Sequence, residues 1–438
     1  MKKYDSYKDS GIEWLGEIPE QWFFKRIADI SNENKVKNDN LYSNNLLSLS
    51  YGKIIEKDID TSFGLLPASF EGYQVIRKGY IILRLTDLQN DKKSLRVGYA
   101  DHDGIITSAY LGLIFNKNID SKFLFYLLYS YDIKKVFYSQ GGSMRQSMKF
   151  ADFKTIYAIY PEKKDEQTAI AQYLDTKTQA IDKKVNLLEK KIGYYKELRK
   201  SIINETVTMG LDRNVELREN ELGFMTPLSW SKKRLKDLGF LYSGLSGKSG
   251  DDFNQDNNPN NRGFIPFTNI ANNTYLKRDH LGTVVVYDGE KQNKVKEGDI
   301  FFLMSSEGYE DIGKTAALAE NIEDTYLNSF CKGFRIKQKH CNPLFLNYLL
   351  LSDYYRQILI IEGKGFTRIN LKMEKVNDFE VYLPKNLKEQ SDIATYLDHK
   401  TQTIDKIVGN IQSQIATLKE LRKTLINDVV TGKIKVVE

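Results

Sequence analysis

The sequence predicts an α/β (α+β) chain: two homologous globular domains separated by two long helices, the helices packed as an antiparallel coiled coil in a pseudo-two-fold arrangement. Three observations predict it. The stretch from Glu166 to Thr208 recurs without a gap from Glu389 to Thr431, 223 residues later, with 24 of 43 positions identical. Apolar residues in both copies follow a 4, 3, 4, 3 spacing. The residues ahead of each copy share a second, more diverged set of landmarks.

The repeated stretches are read as helices from their periodicity. Ile181, Val185, Leu188, Ile192 and Tyr195 form one narrow apolar line, and Ile404, Val408, Ile411, Ile415 and Leu418 repeat it. A 3.5-residue period flanked by Lys, Glu and Gln is a coiled-coil seam rather than the broader stripe of a helix lying on a globular core. Each copy would be about 65 Å long at about 1.5 Å per residue. A rod of that length cannot bury its seam alone, so the two copies are expected to pack on each other. Starts are expected at Asp165 and at Asn386 or Lys388, after Pro161 and Pro384. The polar run Asp175 to Gln179 allows a bend.

The chain therefore divides into residues 1–164, a first globular domain; 165–212, a helical spacer; 213–386, a second globular domain; and 387–438, a second spacer. The domains are themselves related. A P-x-x-W-x-x-K-R frame places Pro19, Trp22, Lys25 and Arg26 against Pro227, Trp230, Lys233 and Arg234. VIRKGYIIL at Val75 matches VKEGDIFFL at Val295, a glycine turn followed by a strand. FLFYLLYS at Phe123 matches FLNYLLLS at Phe345, a short buried helix. A glycine loop, helical turn and strand then end at Pro161 and at Pro384.

Composition bounds the function. An apolar fraction of 41% with 27 Tyr and 22 Phe argues for folded domains. A net charge of +6 permits nucleic acid as a partner without demanding it. Two cysteines, Cys331 and Cys341, fit a reducing cytoplasm better than a disulfide scaffold. The N-terminal segment lacks the apolar core of a signal peptide, and no window is long and apolar enough for a membrane span, so a cytoplasmic location is expected.

Catalytic readings find little purchase. An amino-methyltransferase is expected to carry a doubled proline, and none of the eight prolines are adjacent. GLSGKS at Gly244 lacks the first glycine of a phosphate loop, since Tyr242 stands there. Asp182 with Glu189, Lys190 and Lys191 traces a nuclease-like pattern, but on the outside of a helix and in a chain with 28% charged residues. Cys331, His340 and Cys341 lack zinc-ligand spacing, so no metal site is expected.

The order domain, helix, domain, helix resembles the specificity subunit of type I restriction-modification systems. The residues that carry the resemblance are EQ, YLD, KTQ, ID and KELRK in both helices, the opening YDSYKDSGIEWLGEIPEQW, and the segments RLTDLQNDKKSLRVG and SGLSGKSGDDF. It implies a non-catalytic subunit with two target recognition domains, each reading one half of a bipartite, asymmetric site on double-stranded DNA. Two methyltransferase subunits using S-adenosylmethionine, and restriction/translocase subunits using ATP and Mg, would assemble on it, with no cofactor bound by this chain. A paired-helix spacer would fix the separation of the half-sites, since about 10 to 10.5 base pairs bring the same groove face round again. The alternative is a coiled-coil scaffold without sequence-selective DNA binding.

Candidate DNA contacts lie in loops that combine glycine, hydroxyls, amides and cations. They are Asn90, Lys92, Lys93, Ser94 and Arg96; Gly142, Ser143, Arg145 and Gln146; Ser246, Lys248 and Ser249; and Lys364, Thr367 and Arg368. Glycine permits close approach to a phosphate, while Arg and Gln match guanine and adenine edges. Plain surface turns with solvated charges are the competing reading. The basic run from Lys183 to Lys200 is read as a solvated helix face, or as part of a docking surface together with the repeated KELRK.

Overall fold

A computed structural model of the chain describes residues 2–58, 67, 69–88, 91, 94–138, 147–255, 257–337, 339 and 341–436. Among these residues, the α-helices longer than eight residues are α1 (Ser121–Ile133), α2 (Lys164–Met209), α3 (Pro343–Leu351), α4 (Asp353–Glu362) and α5 (Leu387–Val430). The two repeated stretches are thus helical throughout, α2 starting one residue before Asp165 and α5 between Asn386 and Lys388. The helix runs without a break through Asp175–Gln179. None of the described helices is long and apolar enough to cross a membrane.

The chain forms two compact units, Met1–Glu189 with Gln412–Glu438, and Lys190–Ile411. Each unit therefore holds one globular domain, the N-terminal half of the helix that follows it, and the C-terminal half of the other long helix.

In unit 1, strands Lys53–Lys57, Leu46–Ser50, Gly104–Ile106 and Gln74–Ile76 form one four-stranded sheet, with Gly104–Ile106 parallel to Leu46–Ser50. Ser31–Glu33, Leu111–Phe115, Ile81–Leu83 and Val97–Tyr99 form a second, antiparallel one. Gly79, in the left-handed region at φ 96°, makes the expected turn before the fully buried strand Ile81–Leu83. The apolar run in α1 is buried nearly all round, as a helix inside a core must be. Asp120 caps it by accepting from the Phe123 amide at 2.9 Å.

Unit 2 repeats the plan with different sheets. Gly239–Ser243, Cys331–Ile336, Ile300–Leu303, Thr315–Leu318 and Tyr275–Leu276 form a five-stranded sheet, and Gly282–Val285, Asn261–Ile265 and Thr325–Leu327 a three-stranded one. Gly298, at φ 82°, precedes the buried strand Ile300–Leu303, and Asn342 caps α3 by accepting from the Leu344 and Phe345 amides.

The repeated helix motif clasps each domain through the same residues. In unit 1, Gln167 is fully buried; its side chain donates to the Pro161 carbonyl at 2.9 Å and accepts from the Asp120 amide at 2.8 Å. In unit 2, Gln390 donates to Pro384 at 2.7 Å and accepts from the Asn342 amide at 2.8 Å. Glu166 accepts from the Tyr4 hydroxyl and the Trp22 indole, and Glu389 accepts from the Trp230 indole at 2.9 Å. Tyr126 donates to Asp175 at 2.6 Å and sits 3.1 Å from Thr178; Tyr348 donates to Asp398 at 2.8 Å and sits 3.0 Å from Thr401. Burial pushes both phenols above their ordinary pKa, which keeps them as neutral donors.

The helix ends are fixed just as firmly. Ile426, Val429 and Val430 of α5 lie in the core of unit 1, and Ile203 and Val207 of α2 in that of unit 2. Ser130 donates to Asn427 in unit 1, and Asn204 exchanges two bonds with Asp353 in unit 2. The helix halves are antiparallel in each unit: Asp182 pairs with Arg422 at 3.1 Å and Glu189 with Lys419 at 3.4 Å in unit 1, and Asp405 with Arg199 at 3.3 Å in unit 2. Of the expected seam, Val185, Ile404, Ile411 and Ile415 are buried, and Ile181, Leu188, Ile192, Tyr195, Val408 and Leu418 half-buried. Burying an aliphatic side chain is worth about 1.5–3 kcal/mol, so the seam rather than the exposed ion pairs holds the rods together.

Candidate nucleic-acid interface

Of the expected contacts in unit 1, Asn90, Lys92, Lys93, Gly142, Ser143, Arg145 and Gln146 lie outside the described residues. Ser94 is half-buried, its amide donating to Asp91 at 3.0 Å.

Arg96 requires a correction. Its side chain is fully buried, and all five N–H donors are used internally. Nε donates to the Tyr138 hydroxyl at 3.0 Å, Nη1 to the Arg84 and Thr86 carbonyls at 3.3 and 2.6 Å, and Nη2 to the Asp87 carbonyl at 3.1 Å and to that of Asp91. Its amide donates to Asp132 at 2.6 Å. Burial pushes the Asp132 carboxyl up, partly offset by that amide and by Lys135 and Arg96. Arg96 braces Arg84, Thr86, Asp87 and Asp91 from inside and has no donor left for a duplex.

In unit 2 the expected residues fall on two loops. Ser246 is exposed and tied to Gln292, its amide donating to Oε1 at 3.1 Å and its carbonyl accepting from Nε2 at 2.9 Å. Lys248 pairs with Glu290 at 2.8 Å with its side chain only 7% exposed, so its charge is already matched. That pairing holds the Glu290 carboxyl below its usual range. The exposed Ser249 amide donates to Asp252.

Lys364, Thr367 and Arg368 are all exposed, and they border a tight turn. Lys364 and Asn370 exchange two backbone bonds, and Gly365 stands at φ 149°, where an added Cβ would lie 1.8 Å from the Arg368 carbonyl oxygen. Glycine is required there. Phe366, at the tip, is fully exposed.

Asn328 to Phe330 bridges the two loops, and sequence reading passed it over. The Leu245 amide donates to the Leu327 carbonyl at 2.8 Å, and Gly244 lies so close to the Asn328 carbonyl that a Cβ would come within 2.1 Å. Beyond it, the Phe330 ring lies under the Arg368 guanidinium at 4.8 Å. Its backbone is held on both sides, the amide by Asn328 at 2.9 Å and the carbonyl by the Met304 amide at 3.2 Å. Arg368, Phe330, Phe267 and the loop Ser305–Asp311 line a cleft of about 400 Å³. No sequence pattern marks Phe330 or that loop.

A second kind of cleft occurs in both units. One of about 810 Å³ is lined by Tyr126, Thr178, Gln179, Asp182, Arg422 and Lys423, among others. Another of about 930 Å³ is lined by Tyr348, Thr401, Gln402, Asp405, Arg199 and Lys200, among others. These are the same positions of the repeat in both cases. Among the described residues, no group of three or more His, Cys, Asp or Glu side chains is placed to hold a metal ion, and Cys331 and Cys341 are free and buried.

Two diverged α/β domains, each clasped by repeated helices that pair antiparallel, make an internally duplicated protein built on a coiled coil. Residues 227–417 match the family described as the type I restriction modification DNA specificity domain, and the chain as a whole shares its fold with solved chains of type I R-M systems. A chain in a structure titled for complex assembly and conformational transition of the type I R-M system is 16% identical, with a TM-score of 0.69 over 95% of this chain and 99% of its own. The HsdS subunit from Thermoanaerobacter tengcongensis is also 16% identical, with a TM-score of 0.54 over 95% and 98%. Comparison with curated proteins gives no match.

Proposed function

We propose that the chain is the non-catalytic specificity subunit of a type I restriction-modification complex, in which residues 1–164 and 213–386 are target recognition domains that each read one half of a bipartite, asymmetric site on double-stranded DNA. Residues 165–212 and 387–438 set the spacing and dock two methyltransferase subunits. S-adenosylmethionine belongs to those subunits, and ATP and Mg to restriction/translocase subunits, all acting in the cytoplasm.

The observation that carries this reading is one clasp built twice from the same residues, around domains whose exposed loops differ. Gln167 and Gln390, Tyr126 and Tyr348, Asp175 and Asp398 make equivalent bonds, whereas the loop bearing Ser246 and Lys248, after the strand Gly239–Ser243, differs in sequence from the segment that follows the corresponding strand Ser31–Glu33. Constant frames with unlike loops suit one assembly reading two unlike half-sites. Mapping of methylated bases in cells with and without the gene tests it: a bipartite asymmetric motif should vanish on deletion. An unchanged methylation pattern, with no sequence preference in the purified chain, would leave the scaffold reading standing instead.

A further inference from the structure

The cleft beside Arg368 combines features that a phosphate contact would not need. The guanidinium is exposed and makes no hydrogen bond or ion pair with any described residue, yet its Cζ lies over the Phe330 ring, 4.8 Å from the centroid, a cation–π contact. Phe330 remains 48% exposed, so the contact lies at the surface with the guanidinium free to meet a ligand. The same cleft is also lined by the carboxylates Glu307, Glu310 and Asp311. That loop is braced from below by Arg356, whose buried guanidinium donates to the Glu310 carbonyl at 3.0 Å and to that of Ile312. Asp311 is paired with Lys314 at 2.6 Å, whereas Glu307 and Glu310 form no ion pair among the described residues.

A phosphate approaching Arg368 would meet those carboxylates and be repelled. A base pair would not. In the major groove, guanine offers two acceptors, O6 and N7, that match a planar arginine edge, and its cytosine partner offers an amino donor that suits a carboxylate. An arginine already held over a ring loses less freedom on making two parallel bonds than a mobile one.

We infer that unit 2 reads a G·C pair through Arg368, with Phe330 as the platform that orients it and Glu307 or Glu310 accepting from the cytosine amino group. Phe330 touches Arg368 rather than the base here, and is a positioning residue. The inference rests on the reading of the chain as a DNA specificity subunit.

The test is to map the methylation motif in cells carrying the full chain with its own partner subunits, as wild type, R368K, F330L and E307Q. Arg368→Lys keeps the charge but loses the planar fork, and should relax one G·C position of one half-site by roughly 5- to 150-fold, the range of a bidentate base contact. Phe330→Leu should relax the same position by less, and the other half-site should be unaffected in each variant. An unchanged motif in R368K overturns the inference, as does an equal loss on all sequences, which marks a phosphate contact. If R368K abolishes methylation, selection of randomised duplexes by the purified F330L chain decides by the same criterion. A wild type without any bipartite motif would instead refute the specificity-subunit reading.

Discussion

Gln390→Leu should loosen unit 2 and leave unit 1 untouched. The side chain is fully buried, donates to the Pro384 carbonyl at 2.7 Å and accepts from the Asn342 amide at 2.8 Å. Leucine fills similar space but strips a partner from both backbone groups. A buried group left unpaired costs about 1–3 kcal/mol, so the pair costs about 2–6 kcal/mol. For a unit of this size each kcal/mol lowers the midpoint by about 2–4 °C, so a loss near 4 kcal/mol is a fall of roughly 8–16 °C. The same loss speeds amide exchange through unit opening by about a thousandfold. Hydrogen exchange read by mass spectrometry localises it: peptides from α3 and from the start of α5 should lose protection, while those of unit 1, clasped by Gln167, keep theirs. Gln402→Leu, at an exposed position of the same helix, is the control. Equal loss in both units, or a transition that does not move, would refute the claim that this glutamine clasps its own domain.

Arg96→Met should destabilise unit 1 by about 3–5 kcal/mol, because four carbonyls lose a buried cationic donor; a thermal midpoint within a degree of wild type would show that the bracing is not needed. Burial pushes the Cys341 thiol up to about 12 from an ordinary value of 9.0, so the neutral thiol is favoured on folding. Its contribution to stability is complete below pH 9.0 and is lost as pH rises toward 12. A thiol reagent should therefore modify it at pH 8 only after denaturant is added. Leu198 and Leu421 are 46% and 52% exposed at equivalent positions of the repeated KELRK. Substituting Asp at both should leave helical content within error, as exposed changes usually fall within about 0.5 kcal/mol, and abolish co-purification of a methyltransferase chain; retained co-purification would remove these leucines from the docking surface.

Much of the scaffold was legible because a duplication turns one sequence into two that can be compared. The seam, the paired Trp22 and Trp230, the glycine turns at Gly79 and Gly298 and the buried helices α1 and α3 all lie where the period and the repeat placed them. What the motif letters do was not legible. Glu166 meets Trp22 across 144 residues and Tyr126 meets Asp175 across 49, and spacing says nothing about such partners. Arg96 misled for a related reason. A basic residue in a polar stretch reads as exposed, and only the turn folding back over it reveals five internal acceptors. Phe330 was missed because its role depends on Arg368, which reaches it from a loop 38 residues further on. The segment around Phe330 has no pattern of its own.

The distribution of identities along the repeat carries a last step. Nine of eleven positions in 173–183 match their counterparts, and all five of 196–200, but in 184–195 only Val185 and Ile192 do. A coiled-coil middle needs only apolar seam residues, so its drift is expected. The outer islands are the parts that touch a domain: Asp175 and Thr178 bind Tyr126, and Arg422 binds both Tyr129 and Asp182. Contact with a domain explains those positions. It does not explain Gln179 and Gln402, or Leu198 and Leu421, which are exposed in both units. An exposed leucine contributes little to its own helix, and leucines exposed in both copies, with clefts of about 810 and 930 Å³ formed at the same repeat positions, are what the proposed docking of two methyltransferase subunits would use. Under that proposal the loops that would meet DNA differ in sequence between the units, while the surface that would meet a partner keeps the same residues in both.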